Sequence, residues 1–478
     1  QTRTVPEQGG RVGLPARTTR GGVLAQRDEN RPAAVLLAAG RGTRMRSRLP
    51  KVMHRVAGLP LIGHVLSGLA PLGCRSEIVV VAPDMPEVAA AVAPRPTAIQ
   101  PEQRGTGHAV AAALTSLEGQ TGDVLVLYGD TPFIRTETLR RMLERRRASD
   151  NPAVVVLGFR PESPAEYGRL IVDGAGRLER IVEFRDASAM ERTIGLCNSG
   201  VMAIDGSKLR SLIDRLDDHN AKKEFYLTDI VAIARKDNAA CAVVEAAEDE
   251  LLGINSRADL AVAEAVMQTR LRAAAMANGA TLIDPASVFF AWDTIIGQDV
   301  VIGPNVVFGP GVSVADGVSI GAFCHIEGAA IESGCSIGPF ARLRTGSKIG
   351  RDAKVGNFVE VKNSRFGEGA KANHLSYVGD TDVGAKANIG AGTITANYDG
   401  FDKHQTRIGD GASIGSNVVL RAPVEIGAGA IVAAGSVVTR NVPADALVVA
   451  RGEETIKDGW ATEFRARKQR GRKDRKKE

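Results

Sequence analysis

Residues 295–326 read IIGQDVVIGPNVVFGPGVSVADGVSIGAFCHI, and their spacing decides the fold of the second half of the chain. Ile296, Ile302, Phe308, Val314, Ile320 and Ile326 recur at every sixth position. One residue is then dropped and the series resumes at Ile331, Ile337, Leu343, Ile349, Val355 and Val361. Later runs hold Ile408, Ile414 and Leu420, then Ile426, Val432 and Val438. Glycine often follows directly, as in Ile302-Gly303 and Ile337-Gly338. A helix would repeat near 3.6 residues and a strand at 2. A period of six with glycine attached fits a coil of short flat strands. One aliphatic side chain per wall points into a prism, and small residues turn the corners. The spacing does not set the handedness of the coil.

Composition agrees. Gly is abundant at 53 residues and aromatics are sparse at 4%, which suits thin stacked layers more than one large core. Five scattered cysteines without a CxxC pair exclude a disulfide framework and a zinc site, and favour a reducing, cytoplasmic compartment. No apolar run reaches membrane-span length, and residues 1–32 lack the apolar core of a secretory signal. The net charge of +6 resides in the ends: 464–478 carry nine Lys/Arg against two acids, and 1–32 carry six against three. The remainder is slightly acidic, so nucleic acid is not the expected substrate. The basic tail fits either a polyanion contact or a solvated, disordered segment.

Five segments are expected: a flexible extension over 1–32, an α/β domain over 33–256, a linker helix over 257–279, the prism over 280–453 and the basic tail over 454–478. The α/β domain opens on the buried strand Ala33–Ala39, followed by Gly40-Arg41-Gly42-Thr43-Arg44 and Pro50-Lys51. Glycines let backbone N–H groups approach phosphate, and Arg44 and Lys51 neutralise it. The loop is not a dinucleotide fingerprint, since Met45 stands where glycine is required, nor a Walker A loop; a tight βα turn is the plainer alternative. Further buried strands at 78–81 and 124–127 alternate with helical stretches, giving a doubly wound Rossmann-like sheet. Asp130 follows the strand ending at Tyr128, where such sheets bind ligands. In the linker, Ser256 is a candidate N-cap and Asn278-Gly279 a C-cap.

LAAGRGTRM, QPEQRGTGHA, YGD, Tyr167-Gly168-Arg169, Ile181-Val182-Glu183, Cys197-Asn198-Ser199-Gly200, EFYLTD at 224–229 and Gly253-Ile254-Asn255 occur in one order. With the hexad repeat, this order resembles the bacterial bifunctional N-acetylglucosamine-1-phosphate uridyltransferase/glucosamine-1-phosphate N-acetyltransferase family over nearly all of 33–463. The resemblance implies a nucleotidyltransferase domain followed by a left-handed β-helix that forms a homotrimer. It implies a uridyl site in which Leu37, Ala38, Ala39 and Gly40 line the nucleotide of UTP and Lys51 contacts its phosphates. Gln100, Gly105 and Thr106 would read the uracil, and Tyr128 and Gly129 would lie along the nucleotide. Asp130 and Asn255 would hold Mg²⁺, and Gly168, Glu183 and Asn198 the sugar.

The resemblance implies a second site in the prism. Arg344, Lys362, Tyr377, Asn388, Asn397 and Tyr398 would bind the amino-sugar phosphate, and Ala391, Ser416, Ala434 and Arg451 would line acetyl-CoA. His374, in a stretch that interrupts the hexads, is the expected base, because imidazole titrates near neutrality and an amine must lose a proton on acetylation. Glu360 is a candidate to tune it. Thr345 stands where the family commonly has Pro, with little effect expected. Two readings compete with the bifunctional one: a sugar nucleotidyltransferase whose prism serves only assembly or regulation, and an acetyltransferase with an inactive first domain.

Overall fold

The computed structural model describes residues 31–474. The extension expected over 1–32 lies almost wholly outside them. Two compact units divide at Met267–Gln268, within the helix Arg257–Ala277.

The first unit is built on a mixed sheet. Its strands are β1 (Ala33–Leu37), β2 (Ser76–Val81), β3 (Thr97–Ile99), β4 (Val124–Tyr128), β5 (Val154–Phe159), β6 (Arg169–Val172), β7 (Leu178–Val182), β8 (Cys197–Ile204) and β9 (Cys241–Glu245). The spatial order is β9-β5-β8-β4-β1-β2-β3, with the β6–β7 hairpin attached at β8. β1 pairs in parallel with both β2 and β4, so the chain direction across the sheet reverses between them. That reversal opens a crevice beyond the carboxyl ends of β1 and β4. The glycine loop leaves β1 there, and Asp130 follows β4. β8 is antiparallel to β4 and β5, and its register shifts between Asn198 and Met202. Such bulges re-aim side chains next to sites. The central strands are fully buried on both faces, which is why they read as unbroken apolar runs.

The helix Arg257–Ala277 is capped as its sequence requires. Ser256 Oγ accepts from the Asp259 amide, and Asp259 Oδ2 accepts from the Ser256 and Asn255 amides at 2.8 and 2.9 Å. At its end Gly279 adopts φ +99°, and the Ala280 amide reaches back to the Ala275 carbonyl.

The second unit is the prism. Three parallel sheets of ten, eight and eight strands form its walls. Ile296, Val314, Ile331, Ile349 and Phe366 stack inside one wall. Ile302, Ile320, Ile337, Val355 and Ala372 stack in the second, and Phe308, Ile326, Leu343, Val361 and Val378 in the third. Each such side chain removed from water contributes about 1.5–3 kcal/mol, which is how two-residue strands persist. The interruption read around His374 is no break. Val361 pairs with Val378, seventeen residues on, where Ile331 pairs with Ile349 at eighteen. The coil has lost one residue and kept its ladder. The real excursion comes later: Val383 pairs with Ile408, twenty-five residues on, and the extra length forms a loop at 397–404.

The basic tail is not structureless. Trp460–Asp474 form a helix, with Trp460 and Phe464 stacked at 5.1 Å one turn apart.

Candidate active sites

In the first unit the sequence candidates gather in one cleft of about 240 Å³, lined by Leu37, Ala39, Gly40, Lys51, Gln100, Gly105, Thr106, Tyr128 and Asp130. Ala38 and Gly129 form its buried backing: the Gly129 amide donates to the Leu37 carbonyl and the Ala38 amide to Val80. Gly129 has a reason to be glycine, since a Cβ there would lie 2.9 Å from Val52 Cγ1. The loop at 104–107 is clamped by the segment at 224–229. Phe225 donates its amide to Arg104 and accepts from Gly107, and Thr106 Oγ1 accepts from the Leu227 amide at 3.1 Å. Gly105, at φ +105°, passes so close to Phe225 that a Cβ would lie 2.6 Å from its carbonyl oxygen. Buried Gln100 donates to the Gly105 carbonyl at 3.1 Å. Gln103 and Glu224 also line the cleft; no role was read for them in the sequence, although both fall inside quoted motifs.

At the mouth of β4 the Lys51 ammonium donates to Asp130 Oδ2 and, at 3.2 Å, to Asn255 Oδ1. A cation therefore already sits where the two oxygens converge. One carboxylate and one amide oxygen, with room for phosphate oxygens, are donors that suit Mg²⁺. The pair fits that ion.

Gly168, Glu183 and Asn198 form an adjoining group. The Asn198 amide donates to the Gly168 carbonyl at 2.8 Å, and Asn198 Oδ1 turns inward to accept from Gly200 at 2.9 Å. Fully buried Arg169 fixes the neighbouring loop by donating to the carbonyls of Tyr167 and Ala165. Glu183 lies on a second cavity of about 330 Å³, with Arg44, Glu166, Arg185, Lys222 and Tyr226. Burial raises the Glu183 carboxyl, and the Thr228 hydroxyl donating at 3.3 Å opposes the shift. Burial likewise raises the Tyr128 phenol, with Glu183 adding to it.

Burial, then Asp217, Glu183 and Asp186, push Asp229 up to about 6. Its charge is disfavoured in the fold. Well below the ordinary aspartate value of 3.8 it is protonated in both states. As pH rises, the unfolded chain ionises first and stability falls, and the full penalty is present above the folded value. Asp229→Asn is therefore expected to stabilise this unit by about 1–2 kcal/mol at pH 7.5 and by almost nothing near pH 3, discounting for partial exposure. Melting curves of both proteins at the two pH values check this; an equal shift at both would contradict it.

In the prism the candidates fall on two edges of one wall. Down the first edge run His374, Ala391, Ser416, Ala434 and Arg451. The Gly392 amide donates to the His374 carbonyl, Asn417 to Ala391 at 2.7 Å and Gly435 to Ser416 at 2.8 Å, and Arg451 Nη1 donates to Ala434 at 3.1 Å. Asn388 lies on the adjoining strand beside Lys371, and Tyr377 opens the wall itself, paired with Glu360. Down the second edge run Arg344, Lys362 and Asn397. Arg344 donates its amide to Val361, Asp380 donates to Lys362, and Asn397 Nδ2 donates to Asp380 Oδ2. Tyr398 follows on the excursion loop.

The exposed His374 holds its Nδ1 2.6 Å from Asn357 Oδ1, one coil below. With that oxygen accepting, Nδ1 is the donor of the pair. The Glu360 carboxylate, a candidate to tune His374, accepts from Arg344 Nη1 at 2.8 Å, and the ring partner of His374 is Asn357. Asn357 was missed because its link to His374 spans a coil. Lys403 was missed as well. Its charge pushes Lys362 below the usual lysine range; burial and Arg344 add to the effect, and Asp380 opposes it. Three cations this close ask for an anion.

A doubly wound sheet with a lysine at its switch point, followed in the chain by a hexad prism, is the domain pairing of a two-headed transferase. Residues 34–193 match the MobA-like NTP transferase domain, and 293–328 and 405–440 match the bacterial transferase hexapeptide (six repeats). The chain is 59% identical to the bifunctional protein GlmU of Paramagnetospirillum magneticum, over 91% of this chain and 96% of that one. It is 58% identical to that of Rhodospirillum rubrum and 49% to that of Zymomonas mobilis, each over 91% of this chain and at least 97% of the relative. The chain belongs to the bifunctional GlmU family, the uridyltransferase/N-acetyltransferase family whose motifs its sequence carries. It is an enzyme with nucleotidyltransferase and N-acetyltransferase activities on a Rossmann-like sheet and a left-handed β-helix. The reading of the prism as a purely structural module is not favoured.

Proposed function

We propose that each unit of this bifunctional transferase performs one step in making UDP-N-acetylglucosamine. The prism moves acetyl from acetyl-CoA to the amine of glucosamine 1-phosphate. The first unit then joins N-acetylglucosamine 1-phosphate to UMP from UTP, releasing pyrophosphate. The observation that carries the uridyl assignment is the convergence of Asp130 and Asn255 on Lys51 inside a cleft walled by the glycine loop and Tyr128.

In the uridyl step the sugar phosphate is already a nucleophile, so the site needs positioning and charge neutralisation more than a base. Gln100 and the Gly105-Thr106 backbone hold the uracil edge, Lys51 and Arg44 draw charge from the triphosphate, and Glu183, Asn198 and Gly168 orient the sugar. Asp130 and Asn255 would hold Mg²⁺, which when bound supplies further neutralisation of the phosphate oxygens. In the acetyl step Arg344, Lys362 and Lys403 hold the sugar phosphate, with Tyr377, Asn388, Asn397 and Tyr398 around the sugar. His374 Nε2 takes the amine proton as nitrogen attacks the thioester carbon, and CoA leaves as the thiolate. Ala391, Ser416, Ala434 and Arg451 line the CoA edge. Because the base and the cations stand on opposite edges of one wall, a facing surface from another copy would complete the site; a homotrimer supplies one. Scattered cysteines, free and mostly buried, accord with a cytoplasmic enzyme, and among the described residues no helix is long and apolar enough to cross a membrane.

Stripping divalent metal with EDTA is expected to lower uridyl transfer by on the order of 10²-fold or more while acetyl transfer continues. Uridyl transfer persisting in metal-free buffer would remove the ion from the account.

A further inference from the structure

We propose that His404, paired with Asp399, is a positioning residue that holds Lys403 in the acetyl-transfer site against the repulsion of Lys362. The inference rests on the acetyl-transfer reading and adds to it a device for binding the phosphomonoester of the amino sugar.

The loop at 397–404 leaves the coil and must return within a few residues. Tyr398 and Lys403 face each other in an isolated antiparallel bridge, and the His404 amide donates to the Asn397 carbonyl at 2.8 Å. Asp399 Oδ1 accepts from the Phe401 and Asp402 amides at 2.9 and 2.8 Å, which shapes the tip. Asp399 Oδ2 lies 2.6 Å from His404 Nε2 and closes the loop across its width. Bonding to His404 first, and to those amides next, holds the Asp399 carboxyl well below the usual carboxylate range.

Lys403 immediately precedes His404, so the pair fixes the backbone that aims Lys403. That aim sets Lys403 opposite Tyr398 in the bridge, where its charge repels Lys362, with Arg344 adding to the repulsion and Asp380 opposing it. The carboxylates around this cluster are already engaged. Glu360 accepts from Arg344, and Asp380 accepts from Asn363 at 2.6 Å and from Asn397. The Asp399–His404 pair keeps the third cation in place before the phosphate arrives, so binding need not supply that ordering. His404 touches no reacting atom in this scheme. It acts through Lys403.

The test is a double-mutant cycle on the full-length protein, assayed by CoA thiol release with glucosamine 1-phosphate. His404→Ala is expected to raise KM for the sugar phosphate about tenfold, or ~1.4 kcal/mol, with kcat changed less than about twofold and KM for acetyl-CoA unchanged. Asp399→Asn, which keeps an oxygen for the tip amides but loses the charge, should reproduce the effect. In a Lys403→Ala background, His404→Ala should add almost nothing. Additive losses, an unchanged KM, or a loss confined to kcat would each overturn the proposal. If the wild-type chain releases no CoA thiol, the acetyl-transfer reading itself fails, an outcome separate from all of these.

Discussion

His374→Ala is expected to lower acetyl transfer by about 10²–10⁴-fold while uridyl transfer continues at the wild-type rate. The magnitude is what a positioned general base contributes. The selectivity follows from the architecture, since His374 belongs to the prism and the uridyl candidates to the sheet unit. Asn357 sharpens the expectation. It holds Nδ1 of the ring, and so orients Nε2 away from it toward the side where the amine would stand in the proposed reaction. Assays of CoA thiol release and of pyrophosphate release on one preparation check both halves. Equal loss of both activities would refute the division of labour.

Asp130→Ala should do the reverse. Removing the carboxylate takes away the partner of Lys51 and half of the oxygen pair at the crevice mouth. Uridyl transfer should fall by on the order of 10²–10³-fold, the usual cost of losing a preorganised electrostatic element, with acetyl transfer untouched. Full uridyl activity in the variant would remove Asp130 as a metal ligand.

The prism was legible because most inward positions on its short strands are apolar, and the hexads register that demand directly. They faded between Val361 and Ile408 for two physical reasons. Single-residue deletions shift the phase, as at Val361–Val378, and small or polar residues such as Ala372 and Thr395 fill inward positions. The backbone ladder continues there, but no side-chain pattern announces it. The crevice was legible because the glycine loop and Asp130 each follow an apolar run. The antiparallel course of β8 was not, since a strand buried on both faces reads the same in either direction. Contacts between coils, such as Asn357 with His374, join residues a full turn apart and leave no local signal. The same holds for Lys403 against Lys362. The helix Trp460–Asp474 escaped notice because its apolar side amounts to little beyond Trp460 and Phe464.

The most direct test of the central claim is a product assay on the purified chain with glucosamine 1-phosphate, acetyl-CoA, UTP and Mg²⁺, leaving out one component at a time. The account predicts UDP-N-acetylglucosamine, pyrophosphate and free CoA thiol from the complete mixture. Without UTP, N-acetylglucosamine 1-phosphate should accumulate, and without acetyl-CoA no acetylated product should form. Normal uridyl transfer to supplied N-acetylglucosamine 1-phosphate, with no thiol released from acetyl-CoA by the amino sugar, would contradict it.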